Sequence, residues 1–250
     1  MIGSLETVAS FSAEDVRRFY EAHYVTGNTL VVVVGDFKTG DVLKQLRREF
    51  SSMPRGRPRE VRPDTALQPP GSERRVRKSV QQTYAIYGLA TPPAQHPDQE
   101  ALDLLAVLLG DGRNARLVHT LREEKELVWS VGATNITQES PGIFAVFTEA
   151  DAKKGPAVGP AVRAVLQSLK KHPPTPEEIQ RAKNLIQTSW LQGYETFHSQ
   201  ASALGSYALE GHLERLRYYL PKILALQPRH LEHVIDRYFS QEMCSAVVEP

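Results

Sequence analysis

The chain has 250 residues with a formal net charge of +1, and 41% of its residues are hydrophobic. This composition is typical of a globular protein with one large or two smaller domains, and the near-zero charge argues against dedicated nucleic-acid binding. The single cysteine, Cys244, excludes an intrachain disulfide and a cysteine-rich zinc site.

The first part of the chain contains two predicted helices and one predicted strand. Ser12 followed by Glu14 and Asp15 is typical of a helix start, because the hydroxyl caps free amides and acidic residues favour the first turn. Residues 29–34 are continuously apolar and rich in β-branched side chains, which predicts a buried strand. Residues 41–50 have an amphipathic pattern that predicts a second helix.

No apolar run approaches the roughly 20 residues that a membrane span needs, and the N-terminus lacks a signal-peptide pattern.

Residues 54–78 differ in composition from the rest of the chain. They contain five prolines and eight Lys or Arg residues, with little apolar content. This composition is typical of an extended interdomain linker. A basic docking patch is the alternative, although Glu60, Asp64 and Glu73 dilute its charge.

The remainder of the chain alternates between strand and helix patterns. Asp98 starts a helix whose residues 101–109 are apolar almost all round, which predicts a helix buried on several sides. The other predicted elements are strands at 80–90, 127–134, 142–149 and 244–248, and helices at 114–125, 155–171, 175–192, 197–210 and 229–238.

The chain also repeats itself over a long period. Residues 12–35 align without a gap on residues 227–250, so that Val16 falls on Leu231 and Phe19 on Val234. Each copy reads as a helix, a polar turn and a buried strand. Because a long-period repeat is a clue to the fold, we predict two similar domains, the first lacking most of its N-terminal part.

The residues alone provide no complete catalytic constellation. Zinc hydrolysis needs three protein ligands around an open coordination position, yet neither H-E-x-x-H nor H-x-x-E-H occurs. The nearest miss, residues 229–233, has a permanently charged Arg229 where the first histidine would stand. His230 with His233, and His119 with Glu123, are spaced to share a metal, but packing or exposed polar roles are the alternative. His96 and Glu100 flank a helix start, and His198 has no partner in the sequence pattern.

Two segments are similar to a known family. They are residues 19–37, F-Y-E-A-H-Y-V-T-G-N-T-L-V-V-V-V-G-D-F, and residues 110–131, G-D-G-R-N-A-R-L-V-H-T-L-R-E-E-K-E-L-V-W-S-V. Together they resemble the insulinase or pitrilysin family of zinc peptidases, especially its bacterial and mitochondrial-processing-peptidase branch. The similarity extends over essentially the whole chain.

The resemblance implies an α+β fold in which an antiparallel β-sheet packs against helices in a two-layer, processing-peptidase-like domain. It implies that residues 1–57 are the C-terminal remnant of a first domain, that 58–73 form a Pro/Arg-rich linker, and that 74–250 form a second domain without a metal site. The helix at 98–109 would be the counterpart of the family's zinc helix, but it holds A-L-D-L-L-A. No cofactor is therefore expected in this chain, and zinc is expected only in a missing N-terminal domain or a partner subunit.

The resemblance also implies two site residues. The family places a substrate-facing Arg and Tyr seven residues apart, and these positions are Arg122 and Trp129 here. An indole N–H can donate a hydrogen bond but cannot accept one as a phenol can. The alternative roles are an ion pair of Arg122 with Glu126, and a core or groove-lining Trp129. The family's glycine before the strand is Glu126, which would strain a left-handed turn by about 1 kcal/mol.

These implications lead to two functional hypotheses. The first is a non-metal part of a zinc-dependent peptidase, inactive alone, that encloses an extended peptide or unfolded protein, which adds as a strand to a sheet edge. Its other partner would be the zinc-bearing domain or subunit, in the bacterial cytoplasm or periplasm. The second is a non-catalytic scaffold or assembly subunit derived from that family. We also expect a homodimer, because an unpaired apolar strand at 29–34 invites pairing with another copy.

Overall fold

A computed structural model describes residues 3–57, 70–137 and 141–250. The chain divides into two units, Met1–Asp64 with Glu195–Gly211, and Thr65–Tyr194 with His212–Pro250. The helices and strands, in chain order, are α1 (Leu5–Ser10), α2 (Ala13–His23), α3 (Thr39–Glu49), β1 (Glu73–Arg77), β2 (Gln82–Thr91), α4 (Gln99–Gly110), β3 (Ser130–Ile136), β4 (Gly142–Asp151), α5 (Gly155–Lys171), α6 (Pro176–Gln192), α7 (Phe197–Leu209), α8 (Arg215–Ala225), α9 (Pro228–Tyr238) and β5 (Cys244–Glu249). A 3₁₀ turn, Thr26–Asn28, and a π-helical segment, Val118–Glu124, complete the described elements.

The smaller unit contains α1, α2, α3 and α7. The predicted cap of α2 is confirmed, because the Asp15 amide donates to Ser12 Oγ at 3.1 Å and the Ser12 amide donates to Asp15 Oδ2 at 2.9 Å. Val25, 5% exposed, is the one buried apolar side chain among its described residues. Large apolar side chains elsewhere in the unit are exposed, among them Val16, Phe19, Tyr20, Tyr24, Leu30, Val31 and Val33.

Residues 29–34 do not form the strand that their sequence predicts. The backbone at Thr29 is extended, with φ −120° and ψ 125°, but no described residue forms a ladder with this segment. A strand is completed by the hydrogen bonds of a neighbour, so an apolar β-branched sequence by itself produces only extended backbone.

The larger unit is built on a five-stranded sheet with the order β1-β5-β2-β4-β3. Its neighbours are antiparallel except for β1 and β5, which are parallel. The predicted α+β class, with helices packed against a largely antiparallel sheet, is confirmed. β1 was not predicted, because its sequence E-R-R-V-R has one apolar residue and its charges suit an exposed edge.

One face of this sheet carries the hydrophobic core. Along β2, Ala85, Tyr87 and Leu89 are buried, whereas the alternating Tyr84 and Ile86 are exposed. This is the alternation expected when helices cover one face only. Helices α4, α5 and α9 contact the sheet on the covered side.

Helix α4 is the centre of this core. It contacts β3, α6, α8 and α9, and Leu102, Leu104, Leu105 and Leu109 are completely inaccessible to solvent. Its last residue, Gly110, lies so close to β3 that an added Cβ would be 2.1 Å from the Ala133 amide nitrogen. The apolar pattern of residues 101–109 therefore predicted its burial correctly.

Several other predicted elements are found near their expected bounds. Helix α5 has the predicted bounds, and α6 begins after Thr175, which forms a capping box with Glu178. Helix α8, which contains Pro221, and the short α1 were not predicted. No helix in the described ranges is long and apolar enough to cross a bilayer.

Candidate functional site

The connection between helix and strand at residues 118–130 has an unusual backbone. Val118–Glu124 is π-helical, and the Lys125 amide donates to the Thr120 carbonyl oxygen, five residues earlier, at 3.2 Å. Glu126 then has φ 49°, the one positive φ at a residue other than glycine in the described part of the chain. A side chain with a Cβ raises the free energy of this conformation by about 1 kcal/mol relative to glycine.

A lysine from another part of the chain contacts this left-handed residue. Lys154 Nζ donates to the Glu126 carbonyl oxygen at 2.6 Å. Lys154 belongs to the turn that joins β4 to α5, so this hydrogen bond ties the strained connection to the adjacent strand. A charged donor makes a stronger hydrogen bond than a neutral one, which helps to offset the backbone strain.

Arg122, the first predicted site residue, pairs with its neighbour Glu123. Its Nε and Nη2 both donate to Glu123 Oε1, at 3.0 Å and 2.7 Å. Arg113 Nη2 contacts the other carboxylate oxygen at 3.2 Å. Hydrogen bonding from Arg122, supported by the charge of Arg113, lowers the pKa of the Glu123 carboxyl. The ion pair with Glu126 considered above is not formed.

Trp129, the second predicted site residue, is not part of the core. Its side chain is 62% exposed. Its amide donates to the Glu149 carbonyl oxygen at 2.8 Å, and its indole N–H donates to Asp151 Oδ1 at 3.1 Å. The position immediately before β3 therefore presents a large aromatic surface beside the sheet, with its single polar group engaged.

Arg122 and Trp129 line one surface depression of about 270 Å³. The Arg122 guanidinium and the Lys154 ammonium have more N–H donors than their contacts above use, which suits a ligand rich in carbonyl or carboxylate oxygens. The single indole N–H, in contrast, is already bound to Asp151. The carboxylates Glu126 and Asp151 balance the two cations. The full lining is Arg122, Glu126, Leu127, Val128, Trp129, Asp151 and Lys154.

Sequence reasoning did not identify Asp151 or Lys154 as site residues. They follow a predicted strand in the stretch D-A-K-K, whose charges are ordinary for a surface turn. Only the antiparallel pairing of β3 with β4, which aligns Ser130 with Glu149, brings them beside Trp129. No local signal in the sequence specifies this proximity.

Arg116, in the quoted stretch 110–131, anchors the segment that precedes the depression. Its Nε and Nη2 contact the two oxygens of Glu178 at 2.7 Å and 2.6 Å, and Nη1 donates to the His172 carbonyl oxygen at 2.6 Å. Burial alone would raise the pKa of Glu178, but hydrogen bonds from Arg116 and the Thr175 amide hold it below its usual value. This is a structural ion pair with under a fifth of either side chain exposed.

The described residues do not fit a zinc site. No group of three or more His, Cys, Asp or Glu side chains in those ranges could hold a metal ion. His230 Nδ1 accepts the Gln227 amide at the start of α9, and His233 lies 3.7 Å from Asp98. His119 lies beside Glu124 rather than Glu123.

Helix α4 carries a polar cluster centred on Asp103. Asp103 of α4 accepts a hydrogen bond from Asn135 Nδ2 at 2.7 Å, and Arg215 lies 3.7 Å away. Burial raises the pKa of the Asp103 carboxyl, although Asn135 and Arg215 oppose that rise. The same Asn135 amide contacts Gln99 Oε1 at 2.7 Å. These contacts bind α4 to β3.

Comparison with known proteins gives a matching family model and relatives described as zinc proteases. A family model described as the peptidase M16 inactive domain matches residues 10–186. The zinc protease PqqE of Helicobacter pylori is 24% identical over 98% of this chain, which spans 56% of that protein. The chain thus spans less than two thirds of the length of this relative.

Solved structures share the fold. A protease from Helicobacter pylori matches with a TM-score of 0.89 and 23% identity, covering 100% of this chain and 61% of that one. A chain of complex III2 from Candida albicans matches with a TM-score of 0.85 and 18% identity, covering 99% of this chain and 61% of that one.

Proposed function

The chain belongs to the peptidase M16 inactive domain family, and we propose that it helps to enclose and position an extended peptide for a zinc-dependent peptidase. The zinc and the general base would come from another domain or a partner subunit. Two facts favour this division of roles, namely the zinc proteases among its relatives and the absence of a metal-holding cluster among its described residues.

The observation that carries the proposal is the position of the depression beside the terminal strand of the sheet. Trp129 directly precedes β3, and β3 is the terminal strand of the sheet, paired with β4 on one side. An extended peptide can add to such an edge through main-chain hydrogen bonds. Arg122 would then donate to peptide oxygens at one end of the added strand, and the exposed ring of Trp129 would contact the peptide through its aromatic surface.

The same proposal includes a domain organisation. Residues 1–57 would be the end of a first domain, 58–73 a linker and 74–250 the second domain. In its favour, α2 and α9 have identical lengths and bounds offset by 215 residues. At the same offset, β5 corresponds to residues 29–34. Most of the linker, residues 58–69, lies outside the described residues, and β1 begins at Glu73.

Binding and cleavage of an unfolded protein test this function separately. Fluorescein-labelled β-casein should bind the 250-residue chain, as followed by fluorescence anisotropy, and should remain intact when zinc is added. Replacing Arg122 with Ala should weaken binding about tenfold, the scale of a charged hydrogen bond. Arg113→Ala is the matched control, since Arg113 contacts the same Glu123 but does not line the depression. Robust zinc-dependent cleavage by this chain alone would contradict the proposal.

A second candidate is a non-catalytic scaffold or assembly subunit. Trp129 in the family's Tyr position and Glu126 in its Gly position favour it, because both alter the segment that would contact the substrate. The matching fold in complex III2 of Candida albicans, at 18% identity, provides a parallel at the level of fold alone. An H-x-x-E-H motif in the upstream sequence or an adjacent gene would favour the peptidase, and eroded motifs in both would favour the scaffold.

A further inference from the structure

Glu126 and Trp129, the two residues that differ from the family pattern given above, are both hydrogen-bonded to the turn between β4 and α5. Asp151 accepts the indole N–H of Trp129, and Lys154 donates to the carbonyl oxygen of Glu126. Asp151 ends β4, and Lys154 closes the turn that follows, with its amide donating to the Asp151 carbonyl oxygen at 2.9 Å. One short turn therefore contacts both unusual residues of the depression.

We infer that Asp151 and Lys154 are positioning residues that set the orientation of Trp129 for peptide binding, an inference that rests on the proposed function. The indole has a single polar donor, so its hydrogen bond to Asp151 selects one orientation of the ring. A side chain as exposed as this one would otherwise sample several rotamers on a fast timescale.

Lys154 acts on the backbone rather than on the ring. Its ammonium stabilises the left-handed Glu126, three residues before Trp129, where the chain changes direction into β3. Loss of this contact would let the backbone at Glu126 leave its left-handed conformation, which would shift the Cα atom of Trp129.

The arrangement makes distinct predictions for neighbouring and conservative substitutions. Asp151→Asn keeps an oxygen that can accept the indole N–H, whereas Asp151→Ala does not. Lys154→Ala removes the donor to Glu126, whereas Lys153→Ala changes the exposed neighbouring residue in the same turn. A general effect of disturbing the turn would not distinguish the members of each pair.

Trp129 fluorescence measures the orientation directly. The chain has two tryptophans, so Trp190→Phe leaves Trp129 as the one tryptophan, which is excited selectively at wavelengths where tyrosine does not absorb. In that background, Asp151→Ala and Lys154→Ala should lower the steady-state anisotropy of Trp129 and increase its quenching by acrylamide. Binding of fluorescein-labelled β-casein should weaken about fivefold, the scale of one lost hydrogen bond. Asp151→Asn should match the parent in anisotropy and in acrylamide quenching, and Lys153→Ala should match it in all three measurements.

Some outcomes would overturn the inference. Unchanged anisotropy in Asp151→Ala would show that the carboxylate does not hold the ring, and altered anisotropy with unchanged casein affinity would remove the positioning role. Failure of the parent chain to bind casein would instead count against the proposed function, while the anisotropy would still decide whether Asp151 orients Trp129. If Trp190→Phe does not fold, since Trp190 stacks on Tyr219 at 4.8 Å, difference spectra against Trp129→Phe isolate the same signal.

Discussion

Lys154 and Glu126 are 28 residues apart in sequence, yet a 2.6 Å hydrogen bond joins the Lys154 ammonium to the Glu126 carbonyl oxygen. This contact lies at the one left-handed residue other than glycine among those described. The chain thus keeps a conformation that glycine adopts more easily, and it supplies a specific partner for the backbone at that point.

Replacing Glu126 with Gly should raise the free energy of unfolding by about 0.5–1 kcal/mol, because glycine adopts φ 49° without the Cβ penalty. Urea denaturation followed by circular dichroism measures the change. The matched control is Lys125→Gly, where φ is −94° and ψ is −13°, so glycine should lower stability by gaining freedom in the unfolded chain. Equal effects at both positions would argue against strain at Glu126.

Replacing Arg116 with Ala should destabilise the protein by about 3 kcal/mol, because it leaves the largely buried Glu178 carboxylate without its partner. Arg116→Lys should recover only part of this loss, since an ammonium cannot make the two parallel contacts of a guanidinium. Chemical denaturation provides the measurement. Arg113→Ala, which removes an exposed cation nearby, should change stability by less than about 0.5 kcal/mol.

The same ion pair determines a pH dependence. The folded-state pKa of Glu178 lies below the ordinary glutamate value of 4.5, so its contribution to stability is present above that pH. The contribution is lost as the pH falls through the lower, folded-state pKa. Denaturation midpoints measured between about pH 3 and pH 6 should therefore decline towards acid, and the decline should be smaller in Arg116→Ala. Identical slopes in the two proteins would exclude Glu178 as a cause.

Replacing Gly110 with Ala should destabilise the protein by at least about 2 kcal/mol, because the new methyl group would lie 2.1 Å from the Ala133 amide nitrogen. The backbone of a strand cannot shift without disturbing its ladder. Gly132→Ala, on the same strand, meets no atom within 4 Å and should be neutral or slightly stabilising. Thermal denaturation of the two variants distinguishes a steric effect from a general effect of glycine replacement.

The exposed apolar segment in the smaller unit should cause self-association. Leu30, Val31 and Val33 are all more than 40% exposed, and extended apolar backbone without a partner favours pairing with another copy. Multi-angle light scattering after size-exclusion chromatography should detect a homodimer whose population increases with concentration. Val33→Lys should shift the population towards monomer, and a clean monomer in the parent protein would count against this prediction.

Sequence periodicity predicted the elements that bury a continuous apolar face. Helix α4 and helix α5 are examples, because their apolar residues alone specify burial. Strand β1 was missed because its pairing with β5 joins residues that are distant in sequence, such as Glu73 and Ser245. Helix α8 contains Pro221, which normally interrupts a helix.

The candidate site was predictable only in part. The family resemblance pointed to Arg122 and Trp129, because both lie in the one segment that carries it. The contribution of Asp151 depends on strand register, which no pattern within a single strand specifies. The exposure of Trp129 was also not predictable from its residue type, because tryptophan side chains are often buried. It results from the position of this residue immediately before the terminal strand.

The π-helical segment Val118–Glu124 sets the direction in which the Arg122 side chain leaves the backbone. Relative to an α-helix, such a turn accommodates one additional residue. Each α-helical residue advances the side-chain direction by about 100°, so one residue more or less before Arg122 changes which side chain is directed at the depression. Deleting one residue within Val118–Glu124 would therefore turn the side chain of Arg122 away from its present direction.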